Sequence, residues 1–173
     1  MGFLDKLFGK KTELQEPVVA IKLGAGELAA VLEGELKPLT ASEDPVFSQK
    51  LMGDGYLIEP TNNIVVSPVN GVIQTVFPTK HALGILSDSG DEVIIHVGLD
   101  TVKLNGEGFT AFVVAGDKVV AGQKLLEVDF DLIRSKVPSI ATPVVISNIG
   151  DRKVELKDLK AVKAGDIVAT IIA

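Results

Sequence analysis

Short apolar runs separated by turn-forming residues recur along most of the chain. They are rich in Val, Ile and Leu, and nearly all are bounded by Gly, Pro, Asn or Asp, which is typical of β-strands joined by tight turns. Helical periodicity is confined to two short segments, 44–53 and 129–137. The pattern predicts an all-β fold, an antiparallel β-sandwich or barrel-sandwich with one or two short helices. The runs are VVAIKL (18–23), NIVVSPV (63–69), GVIQTVF (71–77), EVIIHVGL (92–99), FTAFVV (109–114), KLLEV (124–128), PVVISN (143–148) and DIVATII (166–172).

A faint internal repeat accompanies these runs. Segments 114–129 and 162–173 each contain Ala-Gly-Asp followed by a Val-rich stretch, which reads as a turn that enters a strand. The repeat predicts a duplicated motif whose two halves pack around one core. Chance similarity in a chain rich in Val, Ala and Gly is the alternative.

Composition and charge narrow the class of protein. Of the 173 residues 46% are hydrophobic and 5% aromatic, and Cys is absent, so disulfide and thiolate chemistry are excluded. A net charge of −6 argues against nucleic acid as a partner, because phosphate binding draws on clustered Lys and Arg. No apolar run approaches the roughly 20 residues of a membrane-spanning helix. We therefore expect a soluble protein of the cytoplasm.

The first residues form a segment of their own. We expect an amphipathic tail and linker at 1–17 and one domain at 18–173. The stretch MGFLDKLFGKK (1–11) places apolar side chains at helical spacing with lysines beside them. Such a segment fits peripheral contact with the inner face of an anionic membrane. A frayed terminus, or a short helix that packs on its own domain, is the other interpretation, and the sequence leaves both open.

Both histidines of the chain flank one turn. His81 and His96 lie in two β-like runs that the turn signal SDSGD (87–91) separates. A turn centred on Asp88 and Ser89 predicts that His81 and His96 pair directly, with Cβ atoms roughly 4.5–5.5 Å apart. A loop one residue longer would make them diagonal neighbours on opposite faces.

Strand alternation assigns the two faces of the second run. Val93, Ile95 and Val97 share one face, which we expect to be core, and His96 projects from the other face beside Ile94. His96 is therefore expected in a shallow, accessible setting. Thr79, two residues before His81, is expected on the same strand face as His81, where its hydroxyl can orient the ring.

Two facing imidazoles allow three interpretations. The first is a polar cross-strand pair without chemistry. The second is a zinc site, which needs three or four ligands and therefore a carboxylate such as Asp100 or one from a partner, so no built-in metal site is predicted. The third is covalent catalysis, in which one imidazole attacks phosphorus while the other donates a hydrogen bond to the oxygens of the transferred group.

The segment around the histidines resembles a known family. The run GVIQTVFPTKHALGILSDSGDEVIIHVGLDTVKLNGEGF (71–109) is similar to the glucose-type enzyme IIA component of the bacterial phosphoenolpyruvate-dependent sugar phosphotransferase system. DPVFSQKLMGDG (44–55), SPVNG (67–71) and TPVVISN (142–148) match the same family in the same order. The resemblance covers the chain from about Glu43 to its end.

The resemblance implies a mostly antiparallel β-sandwich that carries a phosphoryl group on a histidine and needs no cofactor. His96 matches the phosphorylated nucleophile of the family, which takes the group on Nε2. His81 matches the second active-site histidine, Thr79 matches the hydroxyl that supports it, and Asp100 matches an acidic position of the family motif beside the site.

The resemblance also implies partners. The donor would be the small histidine-containing phosphocarrier protein, and the acceptor would be the cysteine of a glucose-family IIB domain, during sugar uptake. Both would dock on a shallow apolar rim, and ordinary core positions are the alternative for its members. Ile94 replaces an aromatic residue common in the family. The rim would comprise Val46, Phe47, Leu51, Phe77, Ile94 and Val102.

The start of the domain and two rival classes complete the expectations. Segment 20–44 fits the family poorly, so the sequence leaves the start of the folded domain open. A zinc-dependent peptidoglycan hydrolase would need more ligands than two histidines supply. A biotinyl or lipoyl carrier domain, which the hairpin-like segment 114–129 resembles, would need a lysine on an exposed turn in an M-K-M or D-K-A context that the chain lacks.

Overall fold

The computed structural model describes residues 21–173. Within this range lie fourteen short strands, two single-turn α-helices and two 3-10 turns, joined by loops. The predicted tail (1–17) and the predicted first residue of the domain, 18, lie outside the described residues. The strands are β1 (Glu27–Ala29), β2 (Gly34–Pro38), β3 (Asp54–Pro60), β4 (Ile64–Val66), β5 (Gly71–Val76), β6 (Ala82–Ser87), β7 (Glu92–His96), β8 (Phe109–Ala111), β9 (Lys118–Val119), β10 (Lys124–Val128), β11 (Thr142–Ile146), β12 (Lys153–Leu156), β13 (Ala161–Val162) and β14 (Ile167–Ile172). The helices are α1 (Pro45–Ser48) and α2 (Phe130–Ile133), and the 3-10 turns are Leu39–Ala41 and Thr101–Leu104.

The strands form three antiparallel sheets around one core. The largest has the strand order β13-β2-β3-β11-β7-β6-β5-β9, and the two smaller ones have the orders β1-β14-β12 and β4-β10-β8. The core is aliphatic apart from a few aromatic rings, among them Tyr56, whose hydroxyl donates to the carbonyl of Ala29 at 2.6 Å. The predicted antiparallel β-sandwich with short helices is confirmed. No helix within 21–173 combines the length and apolar character needed to cross a bilayer.

The strand order repeats itself, which confirms the predicted duplication. In the large sheet, β13-β2-β3-β11 is matched by β9-β5-β6-β7, and in the small sheets β1-β14-β12 is matched by β4-β10-β8. One half therefore consists of β1–β3 and β11–β14, and the other of β4–β10. Because β7 pairs with β11, the two halves meet at the centre of the large sheet.

The repeat lies within the predicted segments 114–129 and 162–173, but the two turns that correspond are not the ones that the sequence match aligned. The turn before β14 has its counterpart before β10, at 119–123, and not at the Ala-Gly-Asp of 115–117. Lys163 N donates to Asp166 Oδ2 at 2.8 Å, and Val120 N donates to Gln123 Oε1 at 3.1 Å in the equivalent place. The sequence match pointed to the wrong turn because Gln123 replaces the aspartate in the true counterpart.

The largest element that the apolar pattern missed is β3. Its sequence, DGYLIEP, contains two acidic residues, a glycine and a proline, which strands usually avoid. Gly55 is required because a Cβ there would collide with the carbonyl oxygen of Val144 on the neighbouring β11. The predicted strand at 18–23 is not seen in its described part, 21–23, and the predicted helices shrink to α1 and α2.

Candidate functional site

The hairpin β6–β7 carries both histidines, in a register one residue away from the predicted one. His96 opposes Ala82, and Leu86 opposes Glu92. The connection is a three-residue loop, Asp88 to Gly90, in which Gly90 takes φ 91°. Three-residue hairpin loops of this kind place a glycine in the left-handed region after a turn, which the two-residue centring of the prediction did not allow for.

The two imidazoles meet despite this register. Their ring centroids lie 5.1 Å apart with an interplanar angle of 81°. His81 comes just before β6 and still accepts from Val97 N at 2.8 Å, whereas Lys80 before it has φ 60°, so regular strand geometry ends between Lys80 and His81. The expectation that a shifted register would separate the rings is wrong, because it assumed a regular strand through His81.

One ring nitrogen of His96 is fixed by the backbone. Its Nδ1 lies 2.8 Å from the carbonyl oxygen of Gly98. A carbonyl can only accept, so Nδ1 carries the proton and Nε2 of the neutral ring keeps its lone pair. Phe47 packs against the same ring, with a centroid distance of 5.4 Å. His96 is therefore held as an Nε2 nucleophile.

Thr79 contacts the ring of His81. Its Oγ1 lies 2.6 Å from Nδ1 of His81, and the ring of Phe77 contacts His81 edge-on at a centroid distance of 5.5 Å. Thr79 lies in the turn between β5 and β6, not on a strand as expected. When the Thr79 hydroxyl donates to Nδ1, the proton of the neutral His81 ring lies on Nε2, where it can be donated outward.

The two rings differ in how deeply they are buried. His81 is 4% exposed and His96 is half-buried, so His81 is more covered than its partner. Among the described residues every buried side-chain nitrogen and oxygen has a hydrogen-bond partner, whereas neither Nε2 has one. His96 is thus the less covered of the two rings, and Nε2 of each ring has no hydrogen-bond partner within residues 21–173.

Both rings are neutral near pH 7. Burial lowers the pKa of His81 from its ordinary value near 6.5 to about 4, with a further contribution from repulsion by His96. Burial also lowers the pKa of His96, and the hydrogen bond to Gly98 and the charges of Asp44 and Asp100 oppose this shift. A neutral imidazole is the form that can attack an electrophile.

The predicted apolar rim is only partly exposed. Phe47 is 3% exposed and packs with Leu39, Val145 and Ile94, so it supports His96 from below and is not a docking surface. Ile94 is half-buried. The four exposed members are Leu51 (69%), Val102 (50%), Phe77 (42%) and Val46 (38%).

Acidic residues lie on the two segments that flank His96. Asp100 is exposed, has φ 60°, and lies 3.6 Å from the Lys103 ammonium. Asp44, which the sequence reasoning missed, caps α1 by accepting from the amide of Val46 at 2.9 Å. The Asp-Pro that begins α1 was the available signal, because it is a common helix start. No three His, Cys, Asp or Glu side chains within residues 21–173 are grouped to hold a metal ion.

Comparisons with known proteins agree on one family. The model of the phosphoenolpyruvate-dependent sugar phosphotransferase system, EIIA 1, matches residues 26–151. The glucose-specific EIICBA component of the phosphotransferase system of Staphylococcus saprophyticus is 46% identical over 139 residues, which are 80% of this chain and 20% of that protein. Glucose permease IIA from Mycoplasma capricolum has a TM-score of 0.80 at 43% identity and covers 85% of this chain and 95% of its own.

These matches confirm the resemblance deduced from 71–109. They favour neither a zinc hydrolase nor a biotinyl or lipoyl carrier domain. The chain spans about a fifth of the length of the curated relative, and it spans nearly all of the solved IIA domain.

Proposed function

The chain belongs to the EIIA 1 family of the phosphoenolpyruvate-dependent sugar phosphotransferase system, and we propose that it carries the phosphoryl group on Nε2 of His96. The observation that supports this most directly is the pair of imidazoles 5.1 Å apart, each with its Nδ1 engaged and its Nε2 free. One ring is set to attack, and the other is set to donate.

The transfer step follows from the two hydrogen bonds. The lone pair of His96 Nε2 attacks phosphorus, a P–N bond forms, and the P–N bond to the histidine of the donor breaks with its electron pair returning to the donor ring. The Nδ1 proton stays on His96, and the carbonyl of Gly98 stabilises the positive charge that spreads over the ring. Water is not required in this step.

His81 acts on the transferred group and not on phosphorus. With Thr79 donating to its Nδ1, the Nε2–H of His81 points a donor toward the phosphoryl oxygens beside His96. A neutral donor in a partly buried site stabilises the charge that develops on those oxygens without reorganisation. We assign Thr79 the role of fixing this tautomer.

We propose the partners by their chemistry. The donor is the histidine-containing phosphocarrier protein, the acceptor is the cysteine thiolate of a IIB domain of a glucose-family permease, and transfer occurs in the cytoplasm. The four exposed members of the predicted rim, of which Phe77 contacts His81, supply a docking surface, and Asp44 and Asp100 add negative charge to it. The electron pair of the His96 P–N bond returns to Nε2 when the thiolate attacks.

Labelling tests this assignment. The purified protein is incubated with radiolabelled phosphoenolpyruvate and the purified general components of the system, and the acid-labile phosphate is mapped. We expect His96→Gln to abolish the label, because the amide nitrogen is not a nucleophile. We expect His81→Gln to keep a label but to pass it poorly to a IIB domain. Full labelling of His96→Gln would refute the proposal, and the His81→Gln protein is its matched control.

A further inference from the structure

The carbonyl that fixes the His96 ring belongs to a constrained turn. Gly98 has φ 71° and Asp100 has φ 60°, so two of three successive residues lie in the left-handed region. A non-glycine residue pays roughly 1 kcal/mol or more to remain there. The carbonyl of Gly98 keeps its direction toward His96 only while this conformation persists.

A buried threonine closes the turn. Thr101 is 0% exposed, and its hydroxyl donates to the carbonyl of Val97 at 2.6 Å. A Cβ placed on Gly98 would lie 2.8 Å from Cγ2 of Thr101, so the methyl group packs directly against the glycine. The two contacts tie the beginning of the turn to its end around the Gly98 peptide.

A second connection fixes the middle of the turn from outside. Leu99 N donates to the carbonyl of Ser139 at 2.9 Å, and the two residues form an isolated β-bridge. The peptide between Gly98 and Leu99 is thus held by the Ser139 carbonyl on its N–H side. Its carbonyl side faces Nδ1 of His96. Thr101 supplies the side-chain hydrogen bond within this arrangement.

We propose that Thr101 is a positioning residue for phosphoryl transfer, because it holds the Gly98 carbonyl against Nδ1 of His96 and thereby keeps Nε2 as the nucleophile. The inference rests on the proposed role of His96. Thr101 itself is buried and acts only through the turn. Its loss leaves the Gly98 peptide held only through the Ser139 carbonyl, so the Gly98 carbonyl is less firmly directed at Nδ1 and the His96 ring can place its proton on Nε2, the tautomer that cannot attack.

Nitrogen NMR of the unphosphorylated protein tests this directly, because the two ring nitrogens of a neutral imidazole have different shifts with and without a proton. Thr101→Val removes the hydroxyl at nearly constant volume, and Thr101→Ser restores it. Ser67→Ala is the matched control: Ser67 is also 0% exposed and donates to a carbonyl at 2.6 Å, but it does so within 67–69, next to the three-stranded sheet β4–β10–β8.

We expect a single Nδ1–H tautomer for His96 in the wild type, in Thr101→Ser and in Ser67→Ala, and a mixture in Thr101→Val. Labelling by the phosphorylated donor should slow about 10-fold or more in Thr101→Val, as losses of orienting partners commonly do. An unchanged tautomer in Thr101→Val, or the same mixture in Ser67→Ala, would overturn the proposal.

The two proposals fail separately. If the wild type is not labelled on His96, the phosphoryl-transfer role fails while the tautomer measurement still stands. If Thr101→Val does not fold, Thr101→Ser decides instead, because a His96 tautomer mixture with the hydroxyl still present would contradict a role for that hydroxyl.

Discussion

The pair of strands β3–β11 in one half of the molecule corresponds to the pair β6–β7 in the other half. When the two pairs are aligned by their register, Asp54 takes the position of His81, and Val145 takes the position of His96. The backbone also agrees. Gly53 and Lys80, the residues just before Asp54 and His81, have φ values of 128° and 60°. One scaffold therefore presents two different sets of side chains.

The two halves differ in how many hydrogen-bonding atoms of their polar side chains are already bonded within the protein. Asp54 is buried, and its carboxylate accepts from the amides of Gly55 at 2.9 Å and Val154 at 2.8 Å, with Lys50 at 3.3 Å. Val145 is buried against Phe47 and Leu39. In the histidine half each ring uses Nδ1 inside the protein, and its Nε2 has no hydrogen-bond partner among the described residues. The candidate site therefore differs from the corresponding place in the other half by its unbonded ring nitrogens, and not by the arrangement of its strands.

We expect the largest loss of stability from replacing Asp54, because its carboxylate is fully hydrogen-bonded. Asp54→Ala leaves two backbone amides without their carboxylate and removes the partner of Lys50, so we expect a loss of about 3–5 kcal/mol in the free energy of unfolding. Urea denaturation measures it, and Asp54→Asn is the milder variant if the first does not fold. His96→Gln should cost less than about 1 kcal/mol. A comparable loss in both variants would break the contrast between the halves.

The stability of the protein in acid should show the contribution of the buried His81 in the histidine half. Folding lowers the pKa of His81 to about 4 from the ordinary value near 6.5, mainly through burial. The unfolded chain therefore binds more protons between these two pH values. The stability present above pH 6.5 is lost as the pH falls toward 4, by up to about 3 kcal/mol.

Urea denaturation at pH 7.5 and at pH 4.5 isolates this contribution when the wild type is compared with His81→Gln, which has no titrating ring. We expect the variant to lose less stability on acidification than the wild type. Equal losses in the two proteins would mean that His81 is protonated as easily in the folded state as in the unfolded chain.

The sequence predicted those features of the fold and of the site that are determined by residues close together in the chain. The all-β class, the strands β4–β7, β10, β11 and β14, and the core face of Val93 and Ile95 followed from apolar runs and alternation. The meeting of His81 with His96 was predicted correctly for an incorrect reason. The three-residue loop shifts the ladder by one residue, and the left-handed Lys80 ends the regular strand next to His81. Neither departure from regular geometry can be read from a hydrophobic pattern.

The unpredicted parts depend on contacts between distant segments. Strand β3 is stabilised by pairing with β2 and β11 on both sides, which overrides the poor strand propensity of its sequence. Phe47 was assigned to the rim because the family resemblance implied an apolar rim, yet α1 turns it inward onto Val145. Asp44 was missed because only the folded chain brings the start of α1 near His96.

The smallest expected effect concerns the surface around the site. Leu51 is 69% exposed and lies four residues after Phe47, whose ring packs on His96, and Val114 is 65% exposed on the β8–β9 connection. Replacing either by Ser should change stability by less than about 0.5 kcal/mol. If Leu51 contacts the donor, Leu51→Ser should raise the KM for the phosphorylated donor roughly 10-fold, which corresponds to about 1.4 kcal/mol. Val114→Ser should leave that KM unchanged. An equal rise in both variants would trace the effect to general loss of surface apolarity, and no rise in Leu51→Ser would remove this side chain from the docking surface while leaving the chemistry of His96 untouched.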